Sequence, residues 1–295
     1  GACVMNGAFA AGSLLISVPR FEAGAVLTAI SEQRATIMDG VPTSYSYLLT
    51  HPGFADHDLS SLTRCWVGGQ AMPVDTSLEF TARTGCPVYQ VWGMTELGGV
   101  SAANPVVGPN KLGAIGIPFP GNQVRVVDPD DPDRVLEPGE RGELLFRGPL
   151  MMEGYYGNLD ATHEAITADG WLRTGDVATM DADGYVAVVD RLKDMILTAG
   201  YNVYPAEIER VLTMHDDVAI AAVGSVPDQD KGELAKAFVV LVPDASVSTE
   251  ELIAHCRQHL AAYKVPRAVQ FVDALPTTSS GKVMRRALHA QEKDQ

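Results

Sequence analysis

These 295 residues contain no paired cysteine spacing, no excess of positive charge and no long unbroken apolar run. Each lack removes a class of protein. The four cysteines, Cys3, Cys65, Cys86 and Cys256, stand far apart, so a reduced, cytoplasmic chain is a simpler reading than a disulfide framework. Lys and Arg number 22 against 37 Asp and Glu, a formal net charge of −15. Such a field disfavours nucleic acid and anionic membrane surfaces as main partners, and an anionic substrate would need local positive charge to offset it. Residues 1 to 19 carry no charge and are long enough to suggest a membrane span. Gly1, Asn6, Gly7, Gly12 and Pro19 break the stretch, and no basic segment precedes it as a signal peptide requires. The expectation there is a buried strand or helix of a large sheet, and an opening in mid-pattern suggests a fragment. There is no Gly-x-Ser-x-Gly elbow for a serine nucleophile, and there are no internal repeats.

What remains is an ordinary core-forming composition, 46% hydrophobic and 20% charged, at a length that suggests about two domains. Residues 1 to 110 alternate strand and helix signals. Strands are expected at Leu14 to Val18, Thr36 to Met38, Arg64 to Val67 and Pro87 to Val91. Helices are expected at Phe21 to Gln33, Pro42 to Thr50 and Val74 to Thr84. This order predicts an α/β fold, part of a doubly wound parallel sheet, with ligands beyond the carboxyl ends of the strands. Two glycine-bearing loops fall there, Gly68 to Pro73 and Trp92 to Gly99.

From residue 111 to 189 the pattern changes to short strands between Pro, Gly and Asp turns, at Gln123 to Val127, Glu143 to Arg147 and Tyr185 to Val189. A small β-barrel-like subdomain fits it. A charged junction, residues 190 to 194, then leads to an α+β unit, 195 to 295. That unit should hold a proline-started helix, Pro205 to Leu212, and strands at Val218 to Val223, Ala237 to Val242 and Val269 to Val272. Its second helix opens on a capping box, Ser248 with Glu251, and lines up Leu252, Cys256, Leu260 and Tyr263 on one face.

Several short groups suggest chemistry, each weakly when taken alone. Thr95-Glu96 pairs a hydroxyl with a carboxylate on a glycine-flanked loop, which suits a phosphate oxygen and its Mg²⁺; a solvated loop carboxylate is the plainer reading. Trp92-Gly93 offers a face for a purine, or simply a core tryptophan. Thr174-Gly175-Asp176 puts a carboxylate where a ribose diol can be bound. Pro276 to Lys282 resembles a phosphate loop but lacks its first glycine and the Ser or Thr after the lysine. Lys282 can still act as a mobile point charge for a phosphoryl group, although taken alone an exposed surface lysine is the plainer reading. His255 and His259 share a helix face with no third ligand evident and read as surface.

In chain order these groups resemble the adenylate-forming superfamily: acyl-CoA synthetases, luciferases and the adenylation domains of peptide synthetases. The matching stretches are Gly68 to Ala71, Trp92 to Glu96, Gly154-Tyr155-Tyr156, Thr174 to Asp176, Asp190 to Asp194, Gly200 to Glu209 and Pro276 to Lys282. The resemblance covers essentially the whole chain. It implies a mobile C-terminal lid domain, with ATP, Mg²⁺, CoA and a small carboxylic acid as cofactors and substrates. By family role, Gly69, Gln70, Trp92 and Gly93 would hold adenine, Thr95 the α-phosphate and Glu96 the metal. Asp176, helped by Arg191, would take the ribose, and Lys282 would neutralise charge at phosphorus. Lys193 would be the hinge, Gly200 and Tyr201 would meet CoA, and Val91, Gly93, Met94 and Leu97 with the Gly40-Val41-Pro42 region would line part of the acyl pocket.

Two departures stand out. Trp92 occupies a place that more often holds tyrosine, and the upstream Ser/Thr/Gly-rich loop that grips the β- and γ-phosphates is not in these residues. The resemblance therefore implies the C-terminal part of a synthetase with little turnover alone. Alternatives are an adenylation domain that loads a carrier-protein thiol, and a non-catalytic AMP-binding module.

Overall fold

A computed structural model of the chain describes residues 2–277 and 283–288. These fall into two units, residues 1–174 with 178–188, and residues 175–177 with 189–295.

The first unit opens on helix α1, Ala2–Ala10, which is mostly exposed, with Phe9 64% accessible. Neither a buried element nor the expected strand at Leu14 to Val18 forms; that segment has no regular structure and Leu14 is 79% exposed. An apolar run becomes a strand only where a neighbour takes its backbone hydrogen bonds, and the first strand of the described sheet begins at Ile37.

From there the α/β alternation is as expected. Helix α2 (Ala23–Gln33) starts where the Glu22 carboxylate accepts from the Gly24 and Ala25 amides, and it buries Leu27 and Ile30. Strand β1 (Ile37–Gly40) leads to α3 (Pro42–Thr50), whose proline sits at the first helical position. Strand β2 (Arg64–Val67), helix α4 (Val74–Thr84) and strand β3 (Val88–Met94) follow. Strands β1, β2 and β3 are parallel neighbours. Their core joins Leu27, Tyr45, Leu48, Cys65, Val67 and Phe80, and the Tyr45 hydroxyl donates to the Trp66 carbonyl at 2.8 Å. Two strands extend the sheet: β4 (Gly99–Ala103), antiparallel to β3, and β5 (Ile117–Pro118), antiparallel to β4.

A second sheet has the order β6 (Gln123–Val127), β7 (Gly142–Arg147), β8 (Leu172–Met180) and β9 (Val186–Arg191), with β6 and β7 antiparallel. Helix α5 (Leu159–Ala165) precedes β8. Strands β8 and β9 each contain residues assigned to both units, 175–177 and 189–191 belonging to the second.

The second unit carries a hairpin, β10 (Ile196–Thr198) and β11 (Tyr201–Val203), then α6 (Pro205–Leu212). Long antiparallel strands β12 (Val218–Asp228) and β13 (Gly232–Leu241) follow, then α7 (Thr249–His259) and β14 (Ala268–Phe271), which lies parallel to β13. Ile208, Val211, Leu252 and Cys256 bring both helices onto one core. Helix α7 has its capping box but stops at His259, because Leu260 is extended (φ −124°, ψ 149°). Tyr263 therefore leaves the helical face and stacks on Tyr201, ring centroids 4.5 Å apart. His255 packs edge-on to His215, and its Nε2–H donates to the Val211 carbonyl at 2.9 Å. The short helix α8 (Arg285–Leu288) buries Leu288 against Ala222 and Phe238.

Candidate active site

In the first unit the site is made by the carboxyl ends of three adjacent parallel strands. Strand β1 ends at Gly40, whose carbonyl accepts from the Gly68 amide at 3.2 Å. Gly68 follows β2 and lies against Val91 of β3. The Gly40-Val41-Pro42 turn, the Gly68 to Gln70 loop and the Val91 to Glu96 segment therefore meet at one sheet edge, the place where open α/β sheets bind ligands.

Residues Trp92 to Met94 are strand rather than loop, and the chain turns only at a 3-10 helix, Thr95–Leu97. The turn is tight because Gly93 stands so close to Gly99 that a Cβ there would lie 1.7 Å from the Gly99 carbonyl oxygen. No side chain fits at Gly93. Leu97 is fully buried with Phe146 and Leu172, so it anchors the turn from below. Thr95 stays exposed and Glu96 half-buried. Trp92 packs on one side against Phe146, centroids 6.3 Å apart, and is itself half-buried.

Glu96 is held twice by one segment. Its carbonyl accepts from the Met152 amide at 2.7 Å, and its Oε1 accepts from the Tyr155 hydroxyl at 2.8 Å. The hydrogen bond to this carboxylate pushes the Tyr155 phenol above its ordinary pKa. The Glu96 carboxylate fits Mg²⁺, a cation that takes one or two carboxylates from a protein and completes its shell with substrate phosphates and water. Among the described residues no group of three or more His, Cys, Asp or Glu side chains is arranged to hold a metal.

In the second unit Asp176 and Arg191 are in direct contact, Oδ1 to Nε 2.6 Å, with Asp176 nearly fully buried. Asp176 reaches this position because Gly175, at φ +68°, breaks the strand alternation of β8, so that Asp176, Val177 and Ala178 are buried in succession. Such a backbone favours glycine. Lys193 is exposed in a 3-10 turn, Leu192–Asp194. Gly200 and Tyr201 stand at the β10–β11 turn.

Lys282 lies outside the described residues. The described chain on either side is fixed: Thr277 bridges Val283, and the Met284 amide donates to the Pro276 carbonyl at 2.8 Å. Three residues past Lys282, Arg285 grips three acids. It reaches Asp190 at 3.0 Å, Asp194 at 3.2 Å and Glu209 at 2.7 Å. Asp190 also accepts from the Ala206 amide and Glu209 from the Val223 amide. Neither Arg285 nor the role of Tyr155 was legible in the sequence, although the Gly154-Tyr155-Tyr156 stretch marked the second place.

A parallel sheet with glycine loops at its strand ends belongs to the class of open α/β folds that bind ligands beyond the carboxyl ends of their strands. Comparison with known proteins narrows the class. The model of the AMP-binding enzyme family matches residues 1–156, and that of the AMP-binding enzyme C-terminal domain matches residues 207–282. The chain belongs to the AMP-binding enzyme family, within the adenylate-forming superfamily. It is 39% identical over 289 residues to a long-chain-fatty-acid–CoA ligase of Bacillus subtilis, covering 98% of this chain and 51% of that protein. It is 42% identical over 275 residues to a feruloyl-CoA synthase of Amycolatopsis, covering 93% and 55%. Among solved structures it resembles ATP-bound MatB from Rhodopseudomonas palustris, with TM-score 0.92 and 33% identity over 99% of this chain and 57% of that one. The o-succinylbenzoate CoA synthetase of Bacillus subtilis, bound to its acyl-adenylate, gives 0.84 and 32% over 98% and 58%. The chain spans about half the length of the curated relatives it matches.

Proposed function

We propose that the chain is part of an AMP-forming acid–thiol ligase that activates a carboxylic acid with ATP and hands the acyl group to CoA. The observation that carries this reading is the meeting of Gly40, Gly68 to Gln70 and Val91 to Glu96 at one edge of a parallel sheet, in a chain of the AMP-binding family.

In the first step a carboxylate oxygen attacks the α-phosphorus of ATP, the bond to the bridging oxygen breaks, and pyrophosphate leaves with its electron pair. In the second a thiolate sulfur attacks the acyl carbon, and the carbon–oxygen bond to AMP breaks. Gly69, Gln70, Trp92 and Gly93 hold the adenine, and Thr95 donates to the α-phosphate. Glu96 holds Mg²⁺, which when bound supplies positive charge to the phosphates. Asp176 accepts from the ribose hydroxyls, oriented by Arg191. Lys282 adds a charge that acts more strongly on the pentacoordinate phosphorus than on the ground state. Lys193 absorbs the backbone change as the smaller unit re-orients between steps, and Gly200 and Tyr201 then meet the pantetheine.

Val91, Gly93 and Met94 give the acyl site apolar or small walls, which favours a fatty or aryl acid over an amino acid. Named relatives that act on such acids support this. The net charge of −15 leaves nucleic acid a poor partner, and the substrates are small molecules in the cytoplasm. No helix among the described residues is long and apolar enough to cross a membrane. The 295 residues alone have little turnover in this reading, because they contain no loop for the β- and γ-phosphates.

The test is exchange of labelled pyrophosphate into ATP by the protein at its natural length, with palmitate, ferulate and an amino acid in turn. Exchange with palmitate or ferulate is expected, and Glu96→Gln should slow it about 100-fold. No exchange with any acid, or full-rate acyl-AMP formation by the 295 residues alone, sinks the respective part of the proposal.

A further inference from the structure

The Gly154-Tyr155-Tyr156 stretch has no part in the roles assigned above, yet it touches the proposed metal ligand. Tyr156 projects fully into solvent, whereas Tyr155 turns back and is only 38% exposed. Its hydroxyl donates to Glu96 Oε1 across 59 residues of sequence. Two bonds from one short segment, Met152 to the Glu96 carbonyl and Tyr155 to the Glu96 carboxylate, thus fix both the backbone and the side-chain end of that residue.

The segment is itself anchored. The Tyr155 amide donates to Thr162 Oγ1 at 2.9 Å, and that hydroxyl donates to the Asn158 carbonyl at 2.8 Å. Asn158 in turn caps α5 by accepting from the Ala161 amide. The phenol is therefore carried on a helix start and does not hang from a free loop.

A half-buried glutamate on a turn samples several rotamers, and a cation that takes one carboxylate must order it on binding. A carboxylate has acceptor positions for about four donors, so one hydrogen bond does not use it up. We propose that Tyr155 is the positioning residue for Glu96, holding one carboxylate oxygen so that the other is presented to the divalent cation on the nucleotide phosphates. This rests on the metal role given to Glu96 above. Partners of this kind behind a metal ligand set affinity as well as rate.

The experiment titrates Mn²⁺ into the protein at its natural length with ATP present, and follows free Mn²⁺ by its electron paramagnetic resonance signal. Tyr155→Phe removes one oxygen from a partly exposed ring and should leave the melting temperature unchanged. It should weaken Mn²⁺ binding about tenfold, and the Tyr155→Phe, Glu96→Gln double variant should bind like Glu96→Gln alone. Binding by Tyr155→Phe within about twofold of the parent overturns the inference, as does a double variant clearly weaker than Glu96→Gln, since Tyr155 would then act independently of Glu96. If Glu96→Gln itself leaves binding unchanged, the metal role of Glu96 is wrong and Tyr155 loses its proposed purpose with it. A loss in Glu96→Gln without one in Tyr155→Phe sinks the positioning role alone.

Discussion

Replacing Arg285 by alanine removes a cation that three carboxylates, Asp190, Asp194 and Glu209, share. Its side chain is 25% exposed, and the acids it bridges are 2% (Asp190), 26% (Asp194) and 19% (Glu209) exposed. Removing one partner of a buried pair costs about 3–5 kcal/mol, because the remaining charge is stranded away from water. That is a large part of the roughly 5–15 kcal/mol by which a domain is stable. Backbone amide exchange reads it locally: the Ala206 and Val223 amides donate to Asp190 and Glu209 and should exchange about 10²–10³-fold faster in Arg285→Ala. The deficit should depend on pH. Burial already holds the Glu209 carboxyl above its ordinary pKa, and Arg285 is the main influence pulling it down. A group whose pKa is raised in the folded state takes up a proton on folding, so its cost grows as pH rises from the ordinary glutamate range through the raised value. Without Arg285 that value rises further, so the deficit should shrink as pH is lowered towards the ordinary glutamate range and be largest at pH above the raised value. Exchange at Ala206 and Val223 within about threefold of the parent, or a deficit that grows on acidification, would refute the reasoning.

Two further substitutions separate steric from electrostatic effects. Gly93→Ala forces a methyl into the Gly99 carbonyl and should cost about 1–3 kcal/mol or more, read as a lower thermal midpoint of the first unit; an unchanged midpoint contradicts the tight turn. Lys111, itself 31% exposed, bridges Asp181 at 2.6 Å and Asp183 at 2.7 Å, and these carboxylates are 44% and 73% exposed. Lys111→Ala should shift the midpoint far less than Arg285→Ala, and the shift should vanish in high salt; an equal or salt-independent loss contradicts a difference set by how exposed the carboxylate partners are.

Elements with punctuated ends were legible in the sequence. Proline at the first helical position fixed α3 and α6, and the Ser248–Glu251 capping box fixed the start of α7. Strand β4 was missed because Gly99 to Ala103 offers Val100 alone as a strand-forming side chain among Gly, Ser and Ala; its end is buried because β3 and β5 flank it. Strand β8 was missed because Thr174-Gly175-Asp176 interrupts any apolar alternation, and its burial depends on partners such as Arg191 and the Leu144 carbonyl. The opposite error arose at Leu14 to Val18, where an apolar run has no strand to pair with among the described residues. Candidate site residues were legible as short motifs, but not the bonds between them. Tyr155 lies 59 residues from Glu96 and Arg285 lies 95 from Asp190, and contacts at such separations are set by tertiary register, which no local pattern encodes.

The central claim is attack by a carboxylate on the α-phosphorus, and oxygen labelling tests it most directly. The protein at its natural length would turn over ATP, CoA and palmitate or ferulate carrying ¹⁸O in both carboxylate oxygens, with the nucleotide then examined by mass spectrometry. One ¹⁸O in each AMP released is the predicted result. Label in inorganic phosphate with ADP as the nucleotide product would instead mean attack at the γ-phosphorus, and would contradict the account.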